Sequence, residues 1–357
     1  MEKIAVIMFC VGALDYIAGN HLNLGSTFWE GLSTIPQLLI LMTGFMALAP
    51  WIGNTVAPVL SPFFTALGCD PSLIAGIVLG CDGGGAVLAE RLAIRPEAGL
   101  YNGMVLGSYL GCAVTCSIPL ALVNTRGNHR KAVVSGLLAA FATMPLSCAV
   151  TGTLCGFQIR MILANTWPVL IISLILLALF RIRGEEMIAV FSRLAFMVRA
   201  VALTGFTLSM IQEVFGWAIL PGITSLDSVF PTICRIGIFL AGILPFLNVI
   251  QRIIDRPIEL AGRKLGLNQE EIMGLILSLT NSIPVLTTLD NMTSRGIMLN
   301  TAFLTIASFA LGDHLAFALQ FSPEIAMPLV VGKIISGVAT LALAVLAMPF
   351  FLPEAGK

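Results

Sequence analysis

Residues 132–159 read AVVSGLLAAFATMPLSCAVTGTLCGFQI, twenty-eight positions in a row without Asp, Glu, Lys, Arg or His. A helix needs about 20 predominantly apolar residues to cross a bilayer. This stretch is long enough, and so are the uncharged runs Gly31–Cys69, Ala98–Thr125 and Met161–Phe180. Working outward from these runs, about eleven hydrophobic segments cover the chain, at roughly 4–19, 33–54, 71–94, 98–123, 132–157, 161–181, 195–217, 229–251, 269–290, 296–319 and 325–352. Of the 357 residues, 57% are hydrophobic and 11% charged, against about 25% charged in soluble domains. Such a chain has too few polar groups to cover a water-facing surface. The sequence therefore predicts an all-α polytopic membrane protein, folded as a single transmembrane domain in lipid.

Lys and Arg number 19, as do Asp and Glu. With no basic surplus, nucleic acid is not implied as a partner. The eight cysteines lie mostly inside apolar runs and lack zinc-site spacing, so the sequence implies no metal site. No HExxH pair, Walker loop, GxSxG elbow or CxxC pair occurs, and neither a cofactor nor a catalytic residue is expected. The apolar start carries Asp15 and lacks a small-residue cleavage site, which reads as a retained helix rather than a signal peptide.

Two stretches match at a constant offset of 198. Leu67-Gly68 meets Leu265-Gly266, Ile74 meets Ile272, Gly76 meets Gly274, and Asn102 meets Asn300. Each stretch is interrupted by small and polar residues, Gly80-Cys-Asp-Gly-Gly-Gly85 in the first and Thr280-Asn-Ser-Ile-Pro284 in the second. Interrupted apolar segments at corresponding places in two halves point to a transporter binding site. The candidate halves are 33–157 and 229–352, linked by helices at 161–217, with two broken helices or re-entrant hairpins. If 71–94 and 269–290 re-enter and the 126–131 loop is cytoplasmic, twelve basic residues lie inside, among them Arg126, Arg130, Lys131, Arg295 and Lys357. Only Lys3, Arg91, Arg95 and Arg160 then lie outside. Spanning segments would give eleven against five. The positive-inside tendency favours the hairpins, and hairpins make the repeats inverted.

Ionisable groups at membrane depth are costly and mark functional sites. Asp82 sits beside Gly83, Gly84 and Gly85, where a helix interior is disfavoured by about 1 kcal/mol per glycine and an unwound turn is expected. Phe309, Asp313 and Phe317 fall at i, i+4 and i+8, the spacing of one helix face. A carboxylate between ring faces suits a small ammonium ion. Asn281 and Pro284 mark the second break, since Pro284 lacks an N–H and Asn281 both donates and accepts. His314 titrates near neutrality in its ordinary form and, with Lys333, is a candidate for coupling or gating. An ion pair between Asp313 and Lys333 is the competing structural explanation. The expected substrate-binding set is Asp82, Asn281, Phe309, Asp313 and Phe317.

At these same residues the chain resembles the bacterial ethanolamine-utilisation permease family. The likeness is carried by Gly80-Cys-Asp-Gly-Gly-Gly85, Leu106-Gly-Ser-Tyr-Leu-Gly111, Ser117-Ile-Pro119 and Asn281-Ser-Ile-Pro284. It continues in Phe309-Ala-Leu-Gly-Asp-His-Leu-Ala-Phe317 and Val331-Gly-Lys-Ile334, and runs from about Met46 to Gly337. The resemblance implies a multi-pass protein of the bacterial cytoplasmic (inner) membrane that takes up ethanolamine as its small-molecule substrate. The alternatives are a Na⁺- or H⁺-coupled carrier of another small polar solute and a membrane-embedded enzyme. The oligomeric state stays open, with a homodimer as one candidate.

Overall fold

A computed structural model describes residues 2–351 apart from 128 and 265, so Leu265 and Lys357 lie outside the described residues. Helices α1 (Glu2–Ile17), α2 (Gly25–Ser33), α3 (Ile35–Thr55) and α4 (Ala57–Ala66) open the chain. Asp15 is a cap: its two carboxylate oxygens accept from the backbone N–H groups of Leu22, Leu24 and Gly25, each at 2.9 Å, and so fix the start of α2. Two short helices follow, α5 (Leu73–Val78) and α6 (Ala86–Leu92). Four long apolar helices come next: α7 (Pro96–Val123), α8 (His129–Leu154), α9 (Ile159–Arg183) and α10 (Ala189–Phe215). Non-helical backbone at Arg183 (φ −135°, ψ 41°) separates α9 from α10. The chain closes with α11 (Leu226–Lys264), α12 (Gln269–Thr280), α13 (Ile283–Thr288), α14 (Ser294–Ala307), α15 (Asp313–Phe321) and α16 (Pro323–Phe351). Six helices among the described residues are long and apolar enough to cross a bilayer, and no strand occurs among them.

Two segments turn back on themselves. Asp70 ties the neck of the first: one oxygen accepts from Ser72 N (3.0 Å) and Ser72 Oγ (2.7 Å), the other from Ile94 N (3.2 Å) and Arg95 N (3.1 Å). Residues on either side of α5 and α6 therefore lie side by side. Glu271 does the same for the second, accepting from Asn268 N (2.9 Å) with one oxygen and from Thr293 N (2.9 Å) and Thr293 Oγ1 (2.6 Å) with the other. Both segments are helical hairpins whose entering and leaving arms meet at the neck.

The necks lie at opposite ends of α8. The first joins the early turns of α9 through Asp70 N donating to Asn165 Oδ1 at 3.0 Å, and α9 begins just after α8 ends. The second meets the start of α8, where Asp290 lies 2.8 Å from His129 Nδ1 and accepts from Arg126 N at 3.3 Å. This hydrogen bond from His129 holds the Asp290 carboxyl below the usual carboxylate range. With 26 residues, α8 separates the necks by about 39 Å.

Close helix approach is built from small residues, as expected in lipid. Gly99, Gly103, Gly107 and Gly111 line one side of α7 at intervals of four and receive the first hairpin. A Cβ on Gly103 would lie 2.6 Å from Ala86 Cα, and one on Gly111 would overlap the Leu79 carbonyl. The repeat pairs Gly76/Gly274 and Asn102/Asn300 make one contact twice. A Cβ on either glycine would strike its asparagine. Asn102 Nδ2 donates to Ser72 Oγ (2.8 Å) and Asn300 Nδ2 to the Glu271 carbonyl (3.0 Å), each at a hairpin neck.

Candidate functional site

The tip of the first hairpin is unwound. Leu79 and Gly80 are extended, Gly83 is off the helical region (φ −78°, ψ 21°), and Gly84 is left-handed (φ 95°). A Cβ on Gly84 would also overlap Phe45, so glycine is required there on two grounds. Gly85 N donates back to the Gly80 carbonyl at 3.0 Å, which restarts the helix that becomes α6. The carboxylate of Asp82 emerges at this tip with 21% of its side chain exposed.

A second interruption separates α14 from α15, where the sequence pattern predicts one helix. Ser308 is extended, and Phe309 adopts a left-handed backbone (φ 57°). The intervening stretch lies along the C-terminal end of α12: Phe309 N donates to the Ser278 carbonyl (3.0 Å) and Leu311 N to that of Leu279 (2.8 Å). The last carbonyls of a helix lack partners of their own, and in a membrane interior they must find them in protein. The interruption satisfies two of them. It also removes Phe309 from the helix bearing Asp313 and Phe317, so the expected common face does not form. Phe317 is buried and stacks on Phe321 at 5.2 Å, and it is absent from the described walls of the cavity below.

A cavity of about 490 Å³ opens between these interruptions. Its walls include Gly80, Asp82 and Gly83 from the first hairpin, Ile283 from the second, and Phe309, Asp313 and His314 from the α14–α15 interruption. Asp313 is the first residue of α15, where the helix dipole favours a carboxylate. His314 is 1% exposed, neither of its ring nitrogens has a hydrogen-bond partner, and Nε2 lies 3.7 Å from Asp82 Oδ1. Its ring is 5.4 Å from that of Phe309. The side-chain oxygen of Asn281 accepts from Ile283 N at 3.0 Å, just before α13, and Asn281 is not among the described cavity walls. Pro284 sits in the first turn of α13, where a missing N–H costs nothing.

Lys333 of α16 is fully buried. Its ammonium donates to the Ser108 carbonyl at 2.7 Å and lies 4.7 Å from the centre of the Tyr109 ring. The expected competitor, a Lys333–Asp313 ion pair, does not occur among the described contacts. Sequence reasoning misses Cys112, Thr115 and Cys116 of α7 and Arg199 of α10, all on the cavity wall. Arg199 carries a signal in that no other charge lies between Leu194 and Gln212, yet sequence alone does not distinguish it from a snorkelling side chain.

Comparison with known proteins bears on this arrangement. The family described as "Ethanolamine utilisation protein, EutH" matches residues 2–347. A protein of Listeria monocytogenes named "Probable ethanolamine permease EutH" is 34% identical over 95% of this chain and 91% of its own length. The Escherichia coli K12 protein of the same name is 32% identical over 91% of this chain and 86% of its own. An uncharacterized protein of Bacillus subtilis, YxeR, is 34% identical over 95% and 91%. No solved structure matches the chain. A match along nearly the whole length, through both hairpin tips and the α14–α15 interruption, places this chain in the EutH family of ethanolamine utilisation proteins.

Proposed function

We propose that this protein takes up ethanolamine across the bacterial cytoplasmic membrane, binding it as the ammonium cation and releasing it chemically unchanged. The observation that carries this reading is the shared cavity. Asp82 and Asp313, 231 positions apart, stand on its walls beside the ring of Phe309. Two carboxylates against the one guanidinium of Arg199 on the described wall favour a cationic guest, and an aromatic face adds cation–π attraction. Half-buried Gly83 brings backbone to the wall, and the Thr115 hydroxyl, whose proton goes to the Gly111 carbonyl at 2.7 Å, keeps lone pairs that can accept from the cargo's hydroxyl. At about 30 Å³ per water, 490 Å³ holds a four-heavy-atom solute with part of its hydration.

The halves 33–157 and 229–352, linked by 161–217, supply the moving parts in this reading, one bundle rocking against the other about the fixed tips. His314, in contact range of Asp82, and the buried cation of Lys333 are its coupling elements. Hydrogen bonds to charged groups contribute about 1.5–3 kcal/mol, so removing one carboxylate should weaken binding about tenfold or more. Asp82→Asn and Asp313→Asn are each expected to cut uptake of labelled ethanolamine into proteoliposomes by that factor, with monodisperse protein retained. Normal uptake by both variants would overturn the carboxylate mechanism. Dissipating the Na⁺ or H⁺ gradient in the same assay separates ion coupling from facilitated diffusion.

A further inference from the structure

One group beside the cavity has no part in the proposed transport. The Cys81 thiol lies next to Asp82 on the hairpin tip, is fully buried, and is absent from the described cavity wall. Its Sγ, a carboxylate oxygen of Asp82 and a ring nitrogen of His314 all lie within 4.8 Å of one another. The 233 positions between Cys81 and His314 hide this grouping from any spacing rule. His314 makes the case specific. Its ring is buried at membrane depth with both nitrogens unpartnered, a costly arrangement where no bulk water substitutes. A ligand at the nitrogen facing Asp82 relieves it.

The geometry points to a three-ligand site for a borderline-soft divalent cation, Zn²⁺ in first place, made by Cys81, Asp82 and His314. Bonds of about 2.0–2.3 Å in a tetrahedral array put ligand atoms roughly 3.3–3.8 Å apart. The Asp82–His314 separation of 3.7 Å already meets this, and the thiol needs to close by about 1 Å. Thiolate, imidazole and carboxylate together select zinc over the oxygen-seeking Mg²⁺ and Ca²⁺. When the Zn–S bond forms, the thiol proton leaves to water. The ion's two positive charges are then matched by one thiolate and one carboxylate, so the filled site is neutral. A fourth position faces the cavity, which Asp82 and His314 both line.

The ion would neutralise Asp82 and bind the first hairpin tip to the start of α15, fixing parts that transport must move. Zinc is thus expected to inhibit uptake. That consequence rests on the proposed transport function, whereas binding itself does not.

The test uses the purified full-length chain, stripped with a chelator and titrated with Co²⁺. One Co²⁺ per chain is expected, with a thiolate-to-cobalt charge-transfer band and the visible bands of tetrahedral cobalt, both discharged by Zn²⁺. Cys81→Ser and His314→Gln should lose these bands, and Cys112→Ser should keep them. In proteoliposomes Zn²⁺ should inhibit the wild type, while Cys81→Ser transports normally and needs at least about tenfold more Zn²⁺ for the same inhibition. No charge-transfer band in the wild type, or a band that survives Cys81→Ser, overturns the metal site. If Asp82→Asn abolishes uptake but no band is seen, the metal site falls and the transport reading stands. If a cobalt band is seen and both carboxylate variants take up ethanolamine normally, the metal site stands and the carboxylate mechanism falls; if a band is seen and the wild type takes up no ethanolamine, the metal site stands and the transport reading falls.

Discussion

Gly84 shows how much a single position fixes here. Its left-handed backbone turns the chain at the hairpin tip, and its missing side chain admits Phe45 of α3. Gly84→Ala is expected to lower the thermal unfolding temperature in detergent. The backbone accounts for about 1–2 kcal/mol of that loss, and the overlap with Phe45 adds to it. Adding Phe45→Ala should recover the steric share but not the backbone share, so a double-mutant cycle separates them. An unchanged unfolding temperature in Gly84→Ala would show that the tip is not held as described. Residue types at this scale are legible in the sequence: three consecutive glycines after an aspartate announce an unwound turn. The rotation of Phe309 away from Asp313 is not, because periodicity assumes a continuous helix. The interruption at 308–312 is caused by carbonyls of α12 that lie beside it only in the folded chain. At Asn281 too the sequence does not show the local partner, since its side-chain oxygen answers the N–H of Ile283.

Among the elements, the two hairpin necks share one design. Asp70 and Glu271 each use both carboxylate oxygens, one toward the entering arm and one toward the leaving arm. An amide keeps one acceptor and turns an NH₂ group against backbone N–H donors. Asp70→Asn and Glu271→Gln should therefore each destabilise their own hairpin by about 1–3 kcal/mol, the cost of unsatisfied buried donors. Hydrogen exchange is expected to rise in residues 71–94 for the first variant and 269–290 for the second. Faster exchange spread evenly over the molecule, or none at all, would refute the clasp. In the sequence, re-entry is suggested by the distribution of basic residues, twelve against four rather than eleven against five, a margin of two charges, and by the inverted repeats it would create. The clasps that produce it join residues 22 to 25 apart, beyond any helical or hairpin spacing. The glycines at 99, 103, 107 and 111 are visible in the sequence as a run of fours, but their partner is not.

Across the whole molecule, both hairpin tips meet the same cavity while their necks sit at opposite ends of α8. If this cavity is the route, Cys116 on its wall is a reporter. In a variant whose other cysteines are replaced by serine or alanine, a small water-soluble methanethiosulfonate should modify Cys116, and ethanolamine should slow the modification severalfold. Modification at the same rate with or without ethanolamine would place the guest elsewhere. The offset of 198 carries more than the identities it first reveals. It superposes Thr115 on Asp313 and Cys116 on His314, and all four line the cavity. A comparison by identity passes over these pairs because their chemistry has diverged.

That divergence has a consequence for direction. A scaffold that looked alike from both compartments would load and unload its passenger with equal ease either way, like a revolving door. Here one half offers an acid where the other offers an alcohol, at Asp313 and Thr115, and again at Asp82 and Thr280. If the halves rock about the cavity as proposed, the two access states present unlike chemistry to the two aqueous phases. Under the proposed mechanism, without an ion gradient the final balance across the membrane would be untouched by this, while the passenger would be gripped more tightly from one side than from the other, an inside and an outside set by side chains alone.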